Sequence, residues 1–282
     1  EEDVMKLLFA AVALMIGVVA SRADVYFVEA IVNPGFGAKK TGARKTTSKV
    51  YIKGKQQKRE NSIEADKKTV KALRDQGQPL LSSTILRLDK NEVYEIDLDA
   101  QTFVQTKIPP AAKKVAKKAA STNPKIGFAV KEPGDTTRIA GVLCKRVVAQ
   151  MRARYFDPKT KKVRRENRYT YDAWVARDFP GYKEIKAFQN LQTAKTSYPP
   201  LIGGGLEQLR ETVEDYDQLE SELNALEGFV MRSTIRASVV RPSKKGETEV
   251  FRLERQVKSL MTSTLPDSVF GVSRALTKVK GE

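Results

Sequence analysis

The feature that most restricts this chain is a strict alternation between positions 147 and 155. Val147, Ala149, Met151, Ala153 and Tyr155 are apolar or aromatic, and Val148, Gln150, Arg152 and Arg154 stand between them, mostly polar and basic. A period of two suits an extended strand with one face on a core and the other in water. The run ends in "FDPKTKK", where Asp157-Pro158 opens a turn. The chain returns through "VRRENRYTYDAWV", with Tyr169, Tyr171, Ala173 and Val175 on one face. This predicts a long antiparallel hairpin.

A second stretch has the same layout. Ile139-x-Gly141 leads into the first hairpin, and Leu226-x-Gly228 leads into the second. There Phe229, Met231, Ile235, Ala237 and Val239 alternate before a Pro/Gly turn and a returning strand from Thr248. Two such hairpins in one sheet are expected, whether by repetition or by convergence on the same hairpin grammar. Shorter strands are predicted over 24–32, 48–53, 83–88, 92–98 and 102–107, with an edge strand over 275–280. Residues 65–76 read equally as a short helix or a polar loop. About ten antiparallel strands imply a mainly β, α+β fold, a strongly curved sheet or half-barrel.

Two segments follow a helical period instead and are expected on the concave side of that sheet. In 111–120, Ala111, Ala112, Val115, Ala116, Ala119 and Ala120 oppose four lysines. In 206–226, Leu206, Leu209, Val213, Tyr216, Leu219, Leu223 and Leu226 recur every three or four residues. Alanines leave more room than leucines, so a cavity is expected beside Val115, walled by Leu206, Leu209, Val213 and Tyr216. The competing expectation is that both helices fill the core.

The beginning of the chain bears on compartment. Lys6 precedes an uncharged apolar run from Leu7 to Ala20 and a small-residue site at Ser21-Arg22-Ala23. This is the layout of a secretory signal over 5–23, cleaved before Asp24. About 14 apolar residues fall short of the ~20 that span a bilayer as a helix. The remainder, 24–282, is read as a single β domain exported to the periplasm, with peripheral attachment to the envelope as the alternative.

The formal charge is +17, which draws a soluble protein toward polyanions. Residues 39–59 hold nine Lys/Arg and no acid, whereas 206–227 hold eight acids against Arg210. Export, and the scarcity of aromatics in the basic runs, argue against nucleic acid. An anionic membrane surface is the better partner, met through Lys49, Lys53, Lys55, Lys58 and Arg59. Solvated faces without a partner are the plainer reading.

Little points to catalysis. The chain has no histidine and one cysteine, Cys144, so the usual base for a thiol or serine nucleophile is missing. Cys144 reads as a small core residue, with intermolecular pairing as the alternative. Asp89, Asp97 and Asp99 lack the glycine that a calcium loop needs, since Thr102 stands there. "IGGGLEQ" lacks the Gly-Lys-Ser/Thr ending of a phosphate loop. No cofactor or metal is expected.

The assembled segments resemble an exported bacterial family, domain-of-unknown-function family 4412, with the fold of the lipoprotein carriers LolA and LolB. The matching pieces are "VYIKGKQQKRE", "ILRLDKNEVYEIDLDAQTFVQ", "TTRIAGVLCKRVV", "DAWVARDFPGYKE" and "LPDSVFGVSRALTKV", in that order. Ser273, Ala275 and Leu276 depart from the proline and Gly-Tyr pair expected near the end. The resemblance implies a curved antiparallel sheet with helices against its concave face, and it implies no chemistry. Two main functions are therefore expected. One is a non-enzymatic envelope carrier for lipid or a lipoprotein-type ligand; the other is an interaction protein that docks on an anionic surface. A carboxylate-dependent hydrolase comes third, with no particular acid pair to carry it.

Overall fold

The computed structural model describes residues 24–35, 43–108, 124–196, 219, 223, 226–242 and 246–280. The predicted signal, the 111–120 segment and most of 206–226 lie outside them. The first group of strands is an antiparallel meander: β1 (Val25–Asn33), β2 (Arg44–Lys53), β3 (Gln56–Ala65), β4 (Leu81–Arg87), β5 (Glu92–Asp97) and β6 (Thr102–Lys107). The second holds β7 (Lys125–Lys131), β8 (Thr136–Ile139), β9 (Val142–Phe156), β10 (Val163–Ala176), β11 (Phe229–Val240) and β12 (Glu247–Thr262). The groups join where β1 pairs antiparallel with β12, Val25 opposite Thr262. Two-residue β13 (Thr277–Lys278) runs parallel to β6. The result is one curved, unclosed sheet of 13 strands, with β13 at one edge and β7 at the other. β8 pairs with β9 beside β7.

The two predicted hairpins are β9–β10 and β11–β12, adjacent in the sheet. Register shifts at Val28/Glu29, Trp174/Val175 and Ala237/Ser238 insert extra residues into the central ladders. Such bulges bend a strand and increase its twist, which helps a wide sheet to curve. Entry to β11 depends on Gly228. Its φ is +115°, and a Cβ there would stand 2.3 Å from Val175 Cγ1.

Two helices lie fully within the described residues and pack at the sheet. The undecided 65–76 segment contains α1 (Lys67–Asp75), started by Asp66, whose carboxylate accepts a hydrogen bond from the Thr69 amide at 2.8 Å. The second, α2 (Tyr182–Lys195), has no counterpart among the predicted elements. Its buried stripe is Ile185, Phe188, Gln189 and Gln192, so half of it is glutamine and no apolar period shows.

Alternate residues of β1 define the inner face: Val25, Phe27, Glu29 and Ile31. Val25 and Phe27 belong to a cluster with Val50, Ile52, Leu86 and Val93, covered by Ile185 and Phe188 of α2. Ile31 belongs to a second cluster, with Met151, Tyr171, Ile235 and Leu253. Helical Leu219 and Leu223, both buried, close over that one. A third cluster lies on the opposite face of the first meander, where Ile85 and Ile96 meet Leu265 and Phe270 of the C-terminal segment.

Candidate functional site

Glu29 sits on β1 between the two inner clusters and is completely buried. A lone carboxylate there would be prohibitively expensive, so it must be paired. Arg255 of β12, 3% exposed, supplies the pair, with Nε at 2.7 Å and Nη2 at 2.6 Å from Glu29 Oε2. Its third nitrogen, Nη1, donates to the Val230 carbonyl at the start of β11. A second guanidinium follows: Arg59 Nη2 of β3 lies 3.0 Å from Glu29 Oε1. One acid and two bases leave a formal excess of one positive charge.

Register explains how these residues meet. Glu29 faces Ser48 across β1–β2, and Ser48 faces Asn61 across β2–β3. The Ser48 hydroxyl donates to Asn61 Oδ1 at 2.8 Å. Arg59 is two residues from Asn61 on the same face, opposite Val50 on β2 and Thr84 on β4. A polar strip therefore crosses the inner face between two apolar clusters. Two of its donors, Arg59 Nε and Gln57 Nε2, are buried and have no hydrogen-bond acceptor. Such groups stay costly until an acceptor reaches them.

The predicted site residues fall out differently. Val115, Leu206, Leu209, Val213 and Tyr216 lie outside the described residues. The five cations proposed for surface docking do not form one surface. Lys49 and Lys55 are exposed. Lys53 is engaged on the C-terminal segment, where Nζ donates to the Leu265 carbonyl at 2.6 Å and meets Asp267 at 2.8 Å. Lys58 pairs with Glu60 at 2.8 Å. Arg59 points to the opposite face and joins Glu29, because positions 58 and 59 of a strand face opposite ways.

Cys144 is fully buried in the cluster beneath α2, and burial pushes its thiol pKa up, away from the reactive thiolate. The three aspartates considered for calcium serve the backbone and a neighbour. Asp99 accepts from the Leu80 and Leu81 amides, Asp97 accepts from the Ala100 amide, and Asp89 pairs with Arg87 at 2.8 Å. Among the described residues no cluster of acids, histidines or cysteines could hold a metal ion. None of their helices is long and apolar enough to cross a membrane. Trp174 is half-buried, with the Arg232 guanidinium 5.2 Å above its ring.

Glu29 and Arg255 escaped the sequence reading, although a signal was present. In "VYFVEAIV" Glu29 is the one charge in an otherwise uncharged run, and in "VFRLERQV" Arg255 shares the apolar parity of Phe251, Leu253 and Val257. No protein-family model matches the chain, and no curated protein matches it.

Proposed function

We propose that the protein is a non-enzymatic carrier of the cell envelope that holds a lipid or lipoprotein-type ligand against the inner face of its sheet. One observation carries this reading: the surplus guanidinium of Arg59, with a buried Nε lacking an acceptor, between two apolar clusters. Glu29 needs one counter-ion, and Arg255 provides it with two nitrogens. Arg59 is then left with charge to offer an acidic head group while an acyl chain lies along apolar strand residues. The order of motifs resembling the lipoprotein-carrier-like family, the secretory layout of 5–23 and the open sheet support the same reading.

Native mass spectrometry of the chain, purified without detergent, tests it. Acidic lipid or lipopeptide is expected to co-purify, and Arg59→Gln is expected to lose it while Arg255 keeps Glu29 neutralised and the fold intact. A ligand-free protein that ignores fatty acids and hydrophobic dyes overturns the reading.

A further inference from the structure

The edge strand β7 carries a feature that ligand carriage does not use. Lys125, Gly127 and Ala129 stand opposite Arg154, Arg152 and Gln150 of β9. Gly127 has no side chain, and a Cβ added there would meet nothing within 4 Å. The outcome is an open trough of about 410 Å³ over Gly127 and Ala129, flanked by Lys125, Lys131, Arg152 and Arg154. No Asp or Glu lines it. Arg154 has a carboxylate partner, Glu166 at 2.6 Å, but Arg168 takes the other oxygen of that group at 2.6 Å. The remaining three cations have no ion pair among the described residues. The alternate residues of β7, Ile126, Phe128 and Val130, face the other side of the sheet, opposite Ala153, Met151 and Ala149 of β9.

Edge lysines are a common defence against unwanted strand pairing, and that accounts for Lys125 and Lys131. It does not account for Arg152 and Arg154, which lie on the neighbouring strand. Four cations around a small-residue floor, with no acid among the lining residues, match the phosphates of an anionic membrane surface. Phosphates enter the trough and meet the four cations. Nucleic acid fits less well, because bases need stacking platforms. Phe128, the only aromatic in the lining, packs on the cluster beneath it.

We infer that the β7–β9 trough docks the protein on phospholipid head groups of an anionic membrane, independently of any ligand carried on the inner face. The test is co-sedimentation of the full chain with phosphatidylglycerol-containing vesicles, using phosphatidylcholine-only vesicles as reference. Comparing variants of one chain cancels any contribution of the apolar N-terminal run. Binding is expected to require the anionic lipid and to weaken steeply with salt. Lys125→Glu/Arg152→Glu should lower it at least about tenfold. Gly127→Glu should act alike, since its backbone is unstrained and its side chain would place a carboxylate in the open trough. Lys67→Glu/Lys68→Glu, on exposed positions of α1, removes the same charge elsewhere and should leave binding within about twofold. Equal losses in the trough and α1 variants would reduce the effect to net charge and overturn the site. So would equal binding to neutral vesicles, or binding to a single-stranded oligonucleotide with none to vesicles.

Discussion

Replacing Glu29 with alanine should be among the most damaging single changes in this sheet, and its size follows from the geometry. Arg255 and Arg59 approach Glu29 at 2.6 and 3.0 Å. With charge centres about 4 Å apart and an effective dielectric near 20, each pair is worth roughly 4 kcal/mol. Arg59, 19% exposed, can turn toward water and recover most of its share; Arg255, at 3%, cannot. The net loss is then about 3–5 kcal/mol, the usual cost of leaving one partner of a buried pair behind. That is a large part of a typical stability of roughly 5–15 kcal/mol. The double replacement Glu29→Leu/Arg255→Met behaves differently, because neither charge is left to be desolvated. Its main penalty is the Val230 carbonyl losing its donor, about 1 kcal/mol. Urea unfolding of the full chain, with the denaturant slope checked for constancy, measures both variants together with the singles Glu29→Leu and Arg255→Met. A Glu29→Ala cost under about 1 kcal/mol would refute this account. A double mutant as costly as the sum of the singles would refute it equally.

Three further outcomes are expected. Cys144→Ser should cost about 1–3 kcal/mol through a poorly paired buried hydroxyl, and native Cys144 should resist a bulky thiol reagent; rapid labelling contradicts its burial. Glu166 is held below its ordinary value of 4.5, first by its hydrogen bond from Arg154 and then by that from Arg168. A depressed acid stabilises the fold above its unfolded value and loses that contribution as pH falls through the folded one. The urea midpoint should therefore drop below pH 4.5, and drop less in Glu166→Gln; parallel curves would rule this out. Gly228→Ala should lose at least about 2 kcal/mol, because its φ and the contact with Val175 Cγ1 both oppose a Cβ. An unchanged thermal midpoint would show that β11 can shift to make room.

The strands legible in sequence were those with contrast between their faces. In β9, Val147 to Tyr155 alternate with polar and basic residues, so period and parity could both be read. In β3, Gln57, Arg59 and Asn61 occupy the inner face and Lys58 and Glu60 the outer, so "QQKRENSIEA" offers no contrast. Arg59 and Asn61 serve Glu29 and Ser48, a reason for their polarity visible only once the strands are paired. The helix α2 was hidden for a similar cause, since Gln189 and Gln192 fill half its buried stripe. The basic residues of 49–59 were read as one patch because composition records the sign of a charge and not its side of the sheet. Parity alone separates Lys58 from Arg59, while the engagement of Lys53 depends on Asp267, far away in the chain. Glu29 and Arg255 carried the clearest unread warning, a lone charge in one strand and a charge at the apolar parity of another that proves to be its neighbour.

The pairing of β1 with β12 also orders events in time. Val25 must wait for Thr262 before the centre of the sheet can form, while each hairpin can close on its own. Contacts of such sequence separation form slowly, and until then β1 and β12 each present an unsatisfied edge. One side of β1 is secured early by β2 and the other only by β12, so an interrupted chain that ends before β12 would carry a complete first meander with an open flank. The charge of Glu29 would then stand on that flank without Arg255, an obstacle to any wrong strand that tried to pair there.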